Sequence, residues 1–492
     1  MSCTKTCAVS TALPGLNSAP IRAVIVGAGP AGVQAAQTLV RHGLRPVVLD
    51  EAARWGGQIY RQPPANFKRS KQTLYGLEAS RAQAMHSSMQ DLLPHVDYRP
   101  DSLVWNAEGG QLDILHQQQT SVLDYTHLLL CTGATDRVLP FSGWTTPGVY
   151  SLGAAQVALK FQGCAIGQRV AFVGTGPLLY LIAYQYAKAG AEVVAVLDSA
   201  TLGDQVAALP QLLARPSYLA KGLYYVAWLR AHGVPLHGGV QPVQVLTPPQ
   251  AEARVSGLVW RDARGEHTLD CDAIGFGYAL RSETQLADIL GCRFSFHAVQ
   301  RADLPDTDAA GRSSVPGVYL AGDGAGIMGA DAAQWAGERA ALALLEDAGL
   351  LPTEPAQAAA SVARVTQLNT QLTRAQRFRS GLERAFPFPV QWAAQAPDAL
   401  VICRCEEITA GELRHAVQAQ GVLEINRLKA LTRLGMGRCQ GRMCAVAATE
   451  ILAHALGQTP QQVGRLRGQA PVKPIPFALV QASATAQPQE AS

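Results

Sequence analysis

The chain has 492 residues, 48% hydrophobic and 16% charged, with a net charge of +4. That length suggests about three domains rather than one core, and the apolar content excludes a largely disordered protein. The charge is spread thinly, with no basic stripe of the kind nucleic-acid binding needs, and no run approaches the roughly 18 apolar residues of a membrane span. Residues 1–20 carry no basic n-region followed by an apolar stretch, so they read as a flexible N-terminal arm rather than a signal. Ten cysteines in a chain of this size point to a reducing compartment and a metal site more than to disulfides, and the expected location is cytoplasmic.

Ala23 to Val26 is short, apolar and β-branched, as a buried parallel strand is. Gly27, Gly29 and Gly32 follow at G-x-G-x-x-G spacing: a tight turn, a close approach of backbone to a pyrophosphate, and close packing of helix on strand. The helix from about Pro30 through Ala31 to Arg41 aims its N-terminal amides at that phosphate. A strand over Pro46 to Leu49 ends in Asp50, placed to accept hydrogen bonds from an adenosine ribose, with Glu51 as the alternative. Trp55-Gly56-Gly57-Gln58 comes next, then Ile59-Tyr60-Arg61. The glycine pair resembles that of glutathione-reductase-like flavoproteins, and the resemblance turns a dinucleotide site into an FAD site.

Residues 62 to 100 read as loop and helix, and residues 101 to 130 alternate like a small antiparallel sheet. The strand ending at Cys131 runs into Thr132-Gly133-Ala134, a turn that resembles the one lying against FAD in the same flavoproteins. Cys131 itself reads as a core residue. From Gln168 the pattern begins again: a strand, the turn Gly174-Thr175-Gly176-Pro177-Leu178-Leu179, a helix, and a strand ending in Asp198. Asp198 favours NAD over NADP if anything binds. Leu179 stands where the third glycine is expected, so nucleotide binding and a purely scaffolding role both remain open for this unit.

The apolar, aromatic-rich helices of 201 to 235 read as core or as a face for a partner protein. Strands follow near 255 to 261 and 267 to 272, and Ala273 to Gly277 is expected to return the chain to the first domain. Gly317 to Gly324, with Gly322 and Asp323, resembles the second half of the flavin site, where the aspartate would bond the ribityl and phosphate region. A helix over 330 to 348 closes that domain. Residues 351 to 398 are expected to be a linker with one long helix, its arginines 364, 374, 377, 379 and 384 forming a solvated or docking face.

Cys403-Arg-Cys405 and Cys439-Gln-Gly-Arg-Met-Cys444 are separated by 33 residues. Four thiols in two close pairs suit either [2Fe–2S] or zinc. Thr409 and Glu412 form a capping box for a helix after the first pair, and a second helix, 445 to 456, follows the second pair. Both helix N-termini can therefore support anionic sulfurs. The segment resembles the bacterioferritin-associated-ferredoxin-like domain, and that resemblance favours iron.

The fold expected is α/β, with two dinucleotide-binding domains of the glutathione-reductase-like kind and a C-terminal ferredoxin-like [2Fe–2S] domain. Its parts would be a discontinuous FAD domain over 21–150 and 271–350, a second nucleotide domain over 151–270, the linker, the cysteine domain over 399–460 and a tail over 461–492. In this order the chain resembles the A (α) subunits of heteromeric amine and imino-acid dehydrogenases such as opine oxidases, D-hydroxyproline dehydrogenase, hydrogen cyanide synthase and, more distantly, sarcosine oxidase. The resemblance implies an FAD-containing B (β) subunit that binds the substrate, in some assemblies a small third subunit, FMN at a subunit interface, and a respiratory electron acceptor, which would place the complex peripherally at the inner membrane. No catalyst for substrate chemistry is visible: no histidine pair has metal spacing, no G-x-S-x-G elbow exists, and no redox cysteine pair stands in the early flavin domain. Two other functions stay open at this point, an NADH-dependent reductase feeding the cluster and a non-catalytic nucleotide-binding scaffold.

Overall fold

The computed structural model describes residues 20–476 except 65, 68 and 249–253. The N-terminal arm, with Cys3 and Cys7, and the tail beyond 476 lie outside the described residues.

The first unit is built on five parallel strands in the order Val318–Leu320, His127–Leu130, Ala23–Val26, Val47–Leu49, Asp97–Arg99. Successive side chains of a strand face opposite sides of its sheet, so the uniformly apolar strands feed two cores. Ile25 and Leu129 join Leu39 and Leu344 on one face, while Val24, Leu128 and Leu130 join Leu112 and Ile114 on the other. The first face is covered by helices Pro30–Arg41 and Ala330–Asp347. These pack so closely that a β-carbon on Gly337 would lie 2.1 Å from the Ala31 carbonyl oxygen. The second face is covered by the antiparallel meander Ser102–Glu108, Gln111–His116, Gln119–Asp124. Asp97–Arg99 lies in a stretch expected to be only loop and helix. Its side chains are polar and half-buried, and only backbone pairing with Val47–Leu49 makes it a strand.

The second unit repeats the plan: Leu236–Gly238, Glu192–Asp198, Arg169–Thr175, Ala273–Tyr278, Val149–Ser151, all parallel. This corrects the expected return of the chain at Ala273. That strand is buried throughout and pairs with Arg169–Thr175, so it completes the second sheet. The chain returns one step later through Leu280–Ser282, which runs antiparallel to the outgoing Ala134–Asp136. A two-stranded ribbon therefore joins the units.

The long helix Pro355–Ala385 lies along both. Its arginines divide between docked and solvated positions. Arg364 reaches Glu338 in a two-pronged ion pair at 2.6 and 2.7 Å, and Arg379 is buried against Glu383. Arg374, Arg377 and Arg384 are exposed. The helices of 201–235 divide in the same way. Tyr225 and Leu229 are core, Leu212 packs on Phe378 of the long helix, and Leu202, Val206, Leu213 and Leu223 are exposed.

In the last unit the short strands Val401–Cys403 and Ile408–Thr409 precede helices Ala410–Gln420, Ile425–Thr432 and Ala445–Leu456. Trp144 of the ribbon region donates its indole N–H to the Val401 carbonyl at 2.7 Å, fixing this unit to the others. No helix among the described residues is long and apolar enough to cross a membrane.

Candidate functional site

The first glycine loop has the shape a diphosphate needs. A β-carbon on Gly32 would lie 1.8 Å from the Gly27 carbonyl oxygen, so only glycine lets the helix from Pro30 start this close to its strand. Gly27 itself has φ +104° and donates to the Leu49 carbonyl at 2.8 Å. Gly57, at φ +59°, brings its backbone against Gly29, and the preceding Gly56 donates to the Ala28 carbonyl at 2.9 Å. The two glycine loops thus form one bare backbone cradle at a helix N-terminus, where an anion is favoured.

Asp50 stands at the cradle's edge, but its oxygens are already engaged. Oδ2 accepts the Ala28 N–H at 2.6 Å and Oδ1 the Ala52 N–H at 2.7 Å. Burial holds its pKa above the ordinary carboxylate value, against the pull of those two amides. Its first role is to shape the glycine loop, and any ribose contact uses its remaining lone pairs. Glu51 turns outward to pair with Lys473 of the tail. Close by, the buried Trp55 indole N–H and Tyr98 hydroxyl have no partner among the described residues; their rings meet edge to face at 5.7 Å. Unpartnered buried donors beside a bare backbone cradle fit a site made for a polar ligand. Gln58 accepts from Arg61 at 3.0 and 3.2 Å, and Arg61 lies over the Phe161 ring.

The other side of the cradle comes from the ribbon and the last strand. The Thr132 hydroxyl donates to the Glu283 carbonyl at 2.6 Å, and the Glu283 N–H donates to the Gly133 carbonyl at 3.0 Å. Gly322, at φ +72°, sits over the Ala31 methyl group. Asp323 Oδ1 accepts from Met328 and Gly329 at 2.9 and 3.0 Å, which shapes the loop that opens the next helix. The structure thus brings the loops of Gly27 to Gly32, Asp50, Gly57, Thr132 and Gly322 together from four separate parts of the sequence.

The second glycine loop is different. Gly174, at φ +137°, is forced by the Gly277 carbonyl, and Leu179 is fully buried in the third-glycine position. Gly176, at φ +108°, precedes the helix Pro177–Lys188. Asp198, fully buried, accepts from the Thr175 hydroxyl at 2.8 Å, the Tyr180 hydroxyl at 2.8 Å and the Ala200 N–H at 2.9 Å. Burial pushes its pKa up to about 6 despite those donors. Tyr180 in turn packs on Phe386 at the end of the long helix. Tyr180 therefore takes up an acceptor position on Asp198, a feature hidden in the sequence because it lies outside the glycine motif.

The four cysteines meet. Cys444 is in contact with the thiols of Cys403 and Cys439, and Cys439 with that of Cys405. Backbone amides of Cys405, Glu406 and Gly435 face the Cys403 sulfur, and those of Gly441 and Met443 face Cys439. The Cys444 thiol and these amides lower the Cys403 pKa to about 6 and that of Cys439 to about 5. The facing Cys403 and Cys439 sulfurs, and burial, push the Cys444 thiol well above its ordinary value. Thiols ringed by amides are the donor type an anionic metal–sulfur group uses, although among the described residues no three His, Cys, Asp or Glu side chains already stand arranged to hold a metal ion. Cys403 and Cys444 are buried, while Cys405 and Cys439 are half-exposed.

A fold of two linked parallel α/β units with a glycine cradle in the first defines a flavoprotein oxidoreductase. The family described as pyridine nucleotide-disulphide oxidoreductase matches residues 21–337, and the sarcosine oxidase A3 domain matches 401–484. The A (α) component of opine oxidase from Agrobacterium tumefaciens (strain Ach5) is 36% identical over 474 residues, covering 92% of this chain and 90% of that one. The HcnB component of hydrogen cyanide synthase from Pseudomonas aeruginosa is 35% identical over 476 residues, covering 94% and 98%. The chain belongs to the family of A (α) subunits represented by these two proteins. Among solved structures, L-proline dehydrogenase from P. horikoshii shares the fold with a TM-score of 0.66 at 16% identity, over 94% of this chain and 79% of that one. The fold implies FAD binding.

Proposed function

We propose that this chain is the electron-accepting member of a heteromeric dehydrogenase that oxidises a C–N bond of an opine, an imino acid or an amino acid in a partner B (β) subunit. FAD in the cradle and [2Fe–2S] on Cys403, Cys405, Cys439 and Cys444 would take the two electrons of that oxidation and release them one at a time to a respiratory acceptor. The observation that carries the reading is the meeting of four thiols, ringed by amides, in a chain whose relatives are named as subunits of opine oxidase and hydrogen cyanide synthase. A small third subunit, an FMN at the interface between subunits and a peripheral position at the inner membrane belong to the same proposal, on the family resemblance alone.

The residues divide the work. Gly27, Gly29, Gly32 and Gly57 admit the diphosphate to bare backbone, Asp50 fixes the loop, and Asp323 shapes the opposite wall. The amides facing Cys403 and Cys439 favour their thiolates, the form a metal needs. The NADH-dependent reductase is the weaker alternative, since Asp198 is fully buried and already accepts three hydrogen bonds, and Leu179 fills the helix–strand contact. The same crowding counts against a nucleotide-binding scaffold.

Cys405→Ser should remove the iron–sulfur absorbance while flavin stays bound, as read from the visible spectrum of the purified protein. A variant that loses the cluster yet keeps full turnover with the natural acceptor would contradict the reading.

A further inference from the structure

The returning strand of the ribbon, Leu280–Ser282, and the turn after it lead from the second sheet to the cysteine unit. Arg281 of that strand, Glu283 of the turn and Gln285 at the first position of helix Gln285–Ile289 all reach one loop of the cysteine unit. Arg281 Nη1 touches the carbonyls of Gly441 and Arg442, both at 3.4 Å. Gln285 Nε2 donates to the Gln440 carbonyl at 2.6 Å. Between them, Arg442 donates to the Glu283 carboxylate through Nε at 2.7 Å and Nη2 at 3.2 Å. Arg442 stands between Cys439 and Cys444 in sequence, and its Nη1 donates to the Val472 carbonyl at 2.7 Å and reaches the Cys439 carbonyl at 3.5 Å. The other end of Glu283 is the pair of backbone bonds to Thr132 and Gly133 described above. One residue is therefore clamped to the flavin-side turn by its peptide and to the cysteine loop by its carboxylate.

We infer that the Glu283–Arg442 ion pair is the bridge that positions the cysteine loop against the flavin turn and sets the charge that loop presents to its metal group. The inference rests on the reading of Cys403, Cys405, Cys439 and Cys444 as [2Fe–2S] ligands. Only 14% of the Arg442 side chain and 15% of the Glu283 side chain are exposed, so water screens their charges weakly. Arg281 and Arg442 carry two positive charges to the loop and Glu283 one negative charge, which leaves the ribbon side net positive. A positive surround favours the added electron.

The test exploits sign. Glu283→Gln and Arg442→Gln break the same ion pair, so a merely structural role would move the cluster's midpoint potential the same way in both, or in neither. A charge-setting bridge moves them apart: Glu283→Gln leaves Arg442 uncompensated and raises the potential, Arg442→Gln leaves Glu283 uncompensated and lowers it, and the double variant returns towards the parent. The readout is an EPR-monitored redox titration of the whole protein, with iron content measured alongside. Arg442→Lys keeps the charge but loses the two-pronged geometry. Its potential should stay near the parent's while flavin-to-cluster transfer, followed by rapid mixing, slows by about tenfold or more. Shifts of one sign, or no shifts, in proteins that hold the cluster would overturn the bridge. Parent protein without any iron–sulfur signal would overturn the underlying cofactor reading, and the bridge with it.

Discussion

Asp198 shows how one side chain decides what a nucleotide loop can do. Its pKa of about 6 lies above the ordinary value of 3.8 because burial penalises its charge more than three donors repay. The folded state therefore takes up a proton as pH falls through about 6, while the unfolded chain does so only near 3.8. This group's contribution to stability grows as pH drops across that window, by up to about 3 kcal/mol, and is lost as pH rises above it. Denaturant unfolding followed from pH 7.5 to 4.5 should show the increment in the parent and its absence in Asp198→Asn. Tyr180→Phe, which removes one of the donors at neutral pH, should cost about 1–3 kcal/mol in the same assay. At this scale the sequence reveals the residues that belong to spaced motifs: Gly27, Gly29, Gly32 and the four cysteines are legible because their spacing reflects a geometric need. Tyr180 and Glu283 are not, since each acts through a partner 18 or 159 residues away and no local spacing records the pairing.

Among the elements, helix ends and strand faces follow from local chemistry. Thr409 accepts the Glu412 N–H at 3.3 Å and Glu412 accepts the Thr409 N–H at 2.7 Å, the reciprocal cap expected from the sequence. Thr409→Ala should lower the melting temperature of the holoprotein by an amount equivalent to about 1 kcal/mol, while the spectrum of bound flavin is unchanged. Gly337 belongs to a less visible class. Nothing in its helix announces that the Ala31 carbonyl lies 2.1 Å from where its β-carbon would be. Gly337→Ala should push the two helices apart at a cost of about 1–3 kcal/mol, and loosened flavin, measured by fluorescence on dilution, should accompany the loss because Ala31 opens the phosphate-binding helix. Strand identity is legible wherever both faces are apolar. Asp97–Arg99 escapes sequence reasoning because an edge strand needs only backbone partners, and Ala273–Tyr278 is misplaced by it because a buried strand's composition does not tell which sheet buries it.

For the molecule as a whole, three units are joined by contacts that sequence order does not suggest. The ribbon connects the two sheets, Trp144 pins the cysteine unit, and the tail returns through Val472 and Lys473 to the flavin unit. In the second unit Asp198 is fully buried and already accepts three hydrogen bonds, which leaves a ribose no exposed acceptor there. Anaerobic addition of NADH should therefore leave the flavin bands of the isolated protein unbleached. The exposed leucines and valine of the 202–223 helices remain a free apolar face of this unit. The proposed function requires a flavin and an iron–sulfur centre in electronic contact on one chain. Its most direct test is a metal, sulfide and flavin analysis of the purified protein, followed by low-temperature EPR after stepwise anaerobic reduction. Iron and acid-labile sulfide in equal amounts, one [2Fe–2S] centre per FAD, and a paramagnetic cluster signal that grows as the flavin is reduced are expected. Zinc in place of iron, or a cluster that stays silent while the flavin is fully reduced, would contradict the proposed function.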